Sequence, residues 1–119
     1  KYAVSQNMYS LFKNYLLCED IEYVIFPYGF HGERKQIFDQ VIGSLREDGM
    51  PFEVCPVILK CCKEENVRRA INDGRDRERI ERGIKNTFHF YDDYTYPSID
   101  STYLQPEKVA RKIMEILNI

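Results

Sequence analysis

Arginine residues are concentrated in one short stretch of the chain. Residues 68–85 hold seven basic side chains, six of them arginine, against four acidic ones. A planar guanidinium group donates two hydrogen bonds at once to a phosphate, so the cluster indicates anion recognition. At helical spacing Arg75, Arg79 and Arg82 share one face, and we predict that they recognise phosphate. The alternative is a solvated helix in which the interleaved acidic residues pair with these arginines.

A second candidate site follows the first β-branched run of the chain. Tyr28, His31 and Arg34 stand in the sequence YGFHGER, directly after the run IEYVIF at residues 21–26. This stretch combines two glycines, two aromatic residues, a histidine and a charge pair, which could bind the base or sugar of a substrate by stacking and hydrogen bonding. We therefore predict these three as substrate-binding residues, and the alternative is a tight turn with exposed aromatic residues.

A third candidate lies where a short apolar segment leads into the last predicted helix. Ser101, Thr102 and Leu104 stand in the sequence IDSTYLQPE. The free backbone N–H groups at a helix N-terminus favour anions or polar rings, so this turn could bind a ligand of that kind. The alternative is a capped turn in which the short polar side chains serve only the backbone.

The cysteines predict reduced thiols and not a metal centre. The chain has four cysteines and two histidines, and no two cysteines have C-x-x-C spacing. We predict no metal site, since the acidic pair at residues 92–93 is too weak a signal. Reduced thiols indicate a cytoplasmic protein, and a redox switch at the vicinal Cys61 and Cys62 is the less favoured alternative.

Composition sets the broad class. The chain of 119 residues is 44% hydrophobic and 30% charged, which is typical of one globular domain with a packed core. Its net charge of −2 argues against nucleic-acid binding. No apolar run approaches the ~20 residues of a membrane span. The chain begins at Lys1 and not at methionine, so we expect a fragment of a longer protein.

The apolar pattern predicts helices that alternate with short strands. Helical spacing is found at residues 8–18, 32–47, 63–72, 76–90 and 105–117, and strand-like runs at 21–26, 52–59 and 94–99. This order predicts an α/β fold, a parallel sheet with helices on both faces. Ligands bind beyond the carboxyl ends of such strands, which are residues 27–31, 60–63 and 100–103.

Three stretches resemble the C-terminal part of small P-loop kinases. They are IEYVIFPYGF, ENVRRAINDGRDRERIERGI and YPSIDSTYLQPEKVARKIMEIL, of which the last is the most specific. The resemblance is closest to the nucleoside and nucleotide kinase-like group that includes tunicamycin-resistance-type proteins. It implies a nucleotide-binding phosphotransferase acting on a nucleoside, a nucleotide or another small hydroxyl compound, with ATP and Mg as cofactors.

The resemblance also assigns roles to residues. It implies that Arg75, Arg79 and Arg82 are catalytic residues that form a lid on the ATP phosphates, with Arg69 as a further cofactor-binding residue. It places Ser101, Thr102 and Leu104 near the adenine. The phosphate-binding motif G-x-x-x-x-G-K-[ST] is absent from the sequence. We therefore expect the P-loop to precede Lys1 in a longer protein, and the 119 residues alone to be inactive.

Two partners follow from these interpretations. The first is a nucleotide together with a small-molecule substrate. The second is another copy of the chain, because a sheet edge left open by a missing strand favours association. The competing hypothesis from a different class is a non-catalytic α/β module for binding or oligomerisation.

Overall fold

The computed structural model describes residues 2–119, and more than half of them are helical. The elements in chain order are α1 (Tyr2–Leu16), α2 (Arg34–Glu47), β1 (Ile58–Lys60), α3 (Lys63–Asn72), α4 (Arg77–Thr87), β2 (Ser98–Asp100) and α5 (Pro106–Leu117). The chain divides into two compact units, of which the first extends to Glu53 and the second is Val54–Ile119.

The first unit is built on the packing of α1 against α2. Met8 and Phe12 of α1, and Val41 and Leu45 of α2, are buried together and form its core. Each pair is spaced by four residues, which places both side chains on one face of the helix. The helix α2 ends where Gly49 adopts a φ of +75°, a conformation that favours glycine.

The stretch 21–26, predicted as a strand, is not one in the structure. Phe26 packs instead against Phe12, with ring centroids 4.9 Å apart, and stacks on Tyr28. Ile25 remains 89% exposed. A strand needs a neighbour for its backbone hydrogen bonds, and none of residues 2–119 pairs with this segment. Its β-branched composition alone therefore led to a wrong prediction.

The second unit contains a two-stranded parallel sheet. Ile58, Leu59 and Lys60 of β1 lie opposite Ser98, Ile99 and Asp100 of β2, respectively. Both strands have three residues, whereas the sequence pattern predicted eight and six. Proline lacks the backbone N–H that a ladder requires, and Pro56 and Pro97 stand just before the paired residues.

Local signals explain the three helices of the second unit. The helix α3 has the predicted bounds and ends before Asp73-Gly74. Asp76 caps α4, because its side chain accepts a hydrogen bond from the backbone nitrogen of Arg79 at 2.8 Å. Pro106 occupies the first turn of α5, where its missing N–H costs no hydrogen bond.

These elements show that the predicted fold class was wrong. A parallel sheet with helices on both faces was expected, but the described residues form five helices and one sheet of two short strands. The predicted first strand belongs to the helical first unit and not to that sheet. No helix among residues 2–119 combines the length and the apolar character needed to cross a membrane. We also predicted that residues 1–119 form a single domain and that it is the C-terminal part of a kinase-like domain. Both stay predictions.

Candidate anion-binding site

Two turns of the second unit are joined by hydrogen bonds where the strands end. Ser101, which follows β2, donates to the carbonyl oxygen of Lys60 from its backbone nitrogen at 2.7 Å and from Oγ at 3.0 Å. Thr102 Oγ1 accepts from the backbone nitrogen of Cys62 at 2.8 Å and donates to Asp100 Oδ1 at 2.6 Å. Two of the three stretches predicted at strand ends therefore meet, as the parallel pairing requires.

The Asp100 carboxylate is held within this junction. Its Oδ1 accepts from both the hydroxyl and the backbone nitrogen of Thr102, the latter at 3.0 Å. These hydrogen bonds lower the pKa of Asp100, because they stabilise its charged form. Within the junction, Asp100 Oδ1 is therefore occupied by hydrogen bonds from Thr102.

Arg69 connects helix α3 to the same junction. Its Nη1 donates to Ser101 Oγ at 3.1 Å and its Nη2 to the Ser101 carbonyl oxygen at 2.8 Å. Its Nε donates to Glu65 Oε1 at 3.1 Å. Three contacts fix the plane of the guanidinium group before any ligand arrives.

Glu65 completes this cluster of charges. It accepts hydrogen bonds from Arg68 Nε at 2.9 Å and from Arg68 Nη2, and one from Arg69. The hydrogen bond from Arg68, followed by that from Arg69, lowers the pKa of Glu65 to about 2. The carboxylate is therefore ionised wherever the protein is folded near neutral pH.

A shallow cavity of about 180 Å³ lies beside Arg69. Its lining residues come from the β1–α3 turn, from α3 and from the loop after it; they are Cys61, Asn66, Arg69, Ala70, Asp73 and Arg75. The lining thus includes two arginines and one asparagine, which carry hydrogen-bond donors, and one carboxylate residue, Asp73. The lining favours a small anion.

Arg75 is placed in this cavity by the loop between α3 and α4. Its backbone nitrogen donates to the Ala70 carbonyl oxygen at 3.1 Å. Its side chain is exposed. Within residues 2–119, Arg75 has no carboxylate oxygen within 4.0 Å of its charged nitrogens. The cavity therefore combines one guanidinium that is fixed by protein contacts with one that is not.

The arginines of α4 fall into two classes. Arg77 pairs with Glu81 at 3.1 Å. Arg79 and Arg82 are exposed, and no carboxylate of the described chain lies within 4.0 Å of their charged nitrogens. Neither lines the cavity that Arg69 and Arg75 share. The structure thus brings together Arg69 and Arg75 only, of the four arginines predicted to contact phosphates.

The residues predicted near an adenine have protein partners. Ser101 and Thr102 are buried, and both hydroxyl groups hydrogen-bond to the β1 side of the junction. Leu104 is half-buried, and its backbone nitrogen donates to the Ser101 carbonyl oxygen at 3.2 Å. Cys61 and Asn66 were not predicted as part of the site. The position of Cys61 directly after β1 was the available signal.

The predicted substrate residues Tyr28, His31 and Arg34 meet in the first unit. The Tyr28 hydroxyl donates to the Arg34 carbonyl oxygen at 2.9 Å, and Arg34 Nη1 lies 3.0 Å from His31 Nε2. Guanidinium can only donate, so Nε2 is the acceptor. Burial raises the pKa of Tyr28, and the charge of Arg34 opposes this. The polar groups of these three residues therefore make hydrogen bonds mainly to one another.

The candidate site contains no group of metal ligands. Among residues 2–119, no three His, Cys, Asp or Glu side chains are grouped so that they could hold a metal ion. Asp92, one of the acidic pair considered above, lies 2.8 Å from His89 Nδ1. The guanidinium groups described above fit the phosphates of ATP, whereas the described chain shows no cluster of oxygen ligands suited to its Mg ion.

Comparison with known proteins gives no relative for this chain. No protein-family model, no curated protein and no solved structure matches it.

Proposed function

We propose that this chain is part of a nucleotide-binding, kinase-like phosphotransferase in which its arginines bind the phosphates of ATP. The observation that carries the proposal is the contrast among the arginines of residues 68–82. Arg68 and Arg77 pair with glutamates, whereas Arg75, Arg79 and Arg82 are exposed and have no carboxylate partner within the described chain. Such guanidinium groups are available to an anion from solution.

The local geometry supports phosphate as that anion. Arg69 is held by Ser101 and Glu65, so binding costs it little conformational entropy. Arg75 lies at the same cavity and is free to close on a ligand. The cavity of about 180 Å³ suits one or two phosphate groups and not a whole nucleotide. The nucleoside would then extend away from it.

The catalytic part of the proposal rests on the resemblance. In phosphoryl transfer, arginines stabilise the charge that develops on the transferred group. Arg75, Arg79 and Arg82 would have this role, with Mg supplied by ATP. Tyr28, His31 and Arg34 are proposed as substrate-binding residues. A P-loop would have to come from another segment, so we expect binding but no phosphoryl transfer by the 119 residues alone. A cytoplasmic location belongs to the same proposal.

The test compares two arginines of the same helix. Arg82→Ala and Arg77→Ala each remove one exposed guanidinium group from α4, but only Arg77 has a glutamate partner. ATP binding to the 119-residue chain is measured by isothermal titration at low ionic strength. We expect Arg82→Ala to weaken binding about tenfold or more, because a charged hydrogen bond contributes about 1.5–3 kcal/mol and each ~1.4 kcal/mol is tenfold in affinity. Arg77→Ala should weaken it less. Equal effects, or no binding by the parent chain, would refute the proposal.

A second candidate function is self-association without catalysis. The observation that favours it is the apolar segment 21–25 of the first unit, in which Ile25 is 89% and Tyr23 54% exposed. Exposed apolar runs of this kind mark interaction surfaces. We propose a second copy of the chain as the partner, because unpaired β-branched segments readily pair with their own copies.

Sedimentation velocity tests this second candidate. Ile25→Glu should dissociate the oligomer, whereas Tyr103→Glu should leave it intact, since Tyr103 is 93% exposed but belongs to the other unit. A monomeric parent chain at concentrations of about 100 μM would exclude a dimer of even weak affinity.

A further inference from the structure

Cys61 stands apart from the other cysteines because it lines the cavity that contains Arg69 and Arg75. It is a free, half-buried thiol, whereas Cys18 and Cys55 are exposed and do not line that cavity. The proposed phosphate site therefore contains a nucleophile that phosphate binding does not need.

The surroundings of this thiol affect its chemistry in two ways. Burial raises the pKa of Cys61, the positive charge of Arg69 acts in the opposite direction, and Cys62, Glu65 and Asp100 add to the rise. The thiol is thus poorly reactive toward reagents that reach it by chance, since the thiolate is the nucleophile. A reagent that binds to the guanidinium groups first is held beside the sulfur at high local concentration.

We propose that Cys61 is a modification site for small disulfides that carry carboxylate groups, and that the adduct closes the cavity to phosphate. Arginine binds carboxylates with the same two-pronged geometry that it uses for phosphate. The disulfide would therefore be selected by the cavity itself. The closure of the site rests on the proposed function, whereas the selective modification does not.

The reaction is a thiol–disulfide exchange. Cys61 loses its proton to water, and the thiolate attacks one sulfur of the reagent. The S–S bond of the reagent breaks, a new S–S bond forms to Cys61, and the other half leaves as a thiolate with the electron pair. No further oxidant is required, and a reducing thiol reverses the reaction.

Two probe disulfides separate charge from general reactivity. One is 5,5′-dithiobis(2-nitrobenzoate), which carries two carboxylates, and the other is the uncharged 2,2′-dithiodipyridine. The rate of modification is measured at each cysteine by peptide mass spectrometry, for the parent chain and for Arg75→Gln. The ratio of the two rates cancels differences in exposure and in thiol pKa, and Cys55 serves as the internal control.

We expect the ratio of anionic to neutral rate to be about tenfold higher at Cys61 than at Cys55, in the range of electrostatic enhancements near charged clefts. Arg75→Gln, or 0.5 M salt, should reduce the difference. Equal ratios at the two cysteines, or no modification of Cys61 by either probe, would overturn the proposal. Arg75 is exposed, so its replacement should not unfold the chain.

A second measurement separates this proposal from the proposed function. ATP binding is titrated before and after Cys61 is modified with glutathione disulfide, and again after reduction with dithiothreitol. Loss of at least tenfold in affinity on modification, and its recovery on reduction, is the expected result. Selective modification with no ATP binding at any stage would refute the function but confirm the selectivity. ATP binding that modification leaves unchanged would overturn the closure.

Discussion

The guanidinium of Arg69 and the backbone of Ser101 are joined by a hydrogen bond of 2.8 Å, from Nη2 to the carbonyl oxygen, although 32 positions separate the two residues. The same guanidinium donates to the Ser101 hydroxyl, which in turn donates to the carbonyl oxygen of Lys60. One side chain of α3 thereby links the ends of both strands. Its role in stability can be separated from its role in anion binding.

Replacement of Arg69 should therefore destabilise the second unit. Arg69→Ala removes two hydrogen bonds to Ser101, and we expect a loss of about 1–3 kcal/mol in the free energy of unfolding. Urea denaturation measures this loss. Arg68→Ala is the matched control, because Arg68 is exposed and pairs only with Glu65, so its replacement should cost clearly less. Equal losses in the two variants would show that the Ser101 contacts contribute nothing.

The Thr102 hydroxyl provides a test of the junction itself. Thr102→Val keeps the shape of the side chain but leaves the Cys62 N–H without the acceptor that it has at 2.8 Å. An unsatisfied, part-buried donor costs about 1–3 kcal/mol. Thr102→Ser retains the hydroxyl and should recover most of this stability. Thermal melts of the two variants give the comparison, and a valine variant as stable as the serine variant would contradict the prediction.

The depressed pKa of Glu65 predicts a dependence of stability on pH. Its folded-state pKa is about 2, below the ordinary value of 4.5, so the unfolded chain binds this proton first as pH falls. The stabilisation by Glu65 is thus fully present above about pH 5 and is lost progressively between pH 4.5 and 2. Denaturation at a series of pH values should show a shallower decline for Glu65→Gln than for the parent chain. Glu64→Gln removes a neighbouring charge without removing these hydrogen bonds and should leave the decline as it is.

Two glycines of the first unit should respond to alanine in opposite directions. At Gly29 an added Cβ would lie 2.6 Å from His31 Cε1, so the ring and its contact with Arg34 must shift. We expect Gly29→Ala to destabilise the chain, but less than overpacking of a closed core, because the atoms that must move are the end of the His31 side chain. At Gly43, inside α2, an added Cβ meets no atom within 4 Å. Gly43→Ala should stabilise the chain by about 0.5–1 kcal/mol. Chemical denaturation measures the free energy of unfolding of both variants. A change of the same sign in both would contradict the prediction.

The sequence predicted the helices better than the sheet for a physical reason. The bounds of α3 follow from signals within the helix and in the next two residues, Asp73 and Gly74. A strand depends on a partner that is distant in sequence, and nothing within IEYVIF states whether such a partner exists. The prolines at 56 and 97 were the signal that the two real strands are short.

The candidate site was predictable in part. The rule that ligands bind beyond the carboxyl ends of parallel strands pointed to residues 60–63 and 100–103, and the structure brings these two stretches together. The spacing of Arg75, Arg79 and Arg82 indicated one helical face, but Arg75 precedes α4 and lies at a cavity that the other two do not line. Whether an arginine pairs with a neighbouring glutamate depends on rotamers, which spacing does not determine.

The parallel pairing of Ile58 with Ser98 has a consequence for the order in which the second unit folds. Ile58 and Ser98 are 40 positions apart, so the chain between them must close into a loop before the first ladder hydrogen bond forms. Closing this loop costs conformational entropy, and the three residue pairs of the ladder offset that cost only late in folding. The helices α3 and α4 lie within that loop and need only local contacts, so they can form first and shorten it. We therefore expect strand pairing, and with it the contact of Arg69 with Ser101, to follow the formation of these two helices. In that order, the guanidinium group of Arg69 reaches its final position beside the cavity only after the two strands have paired.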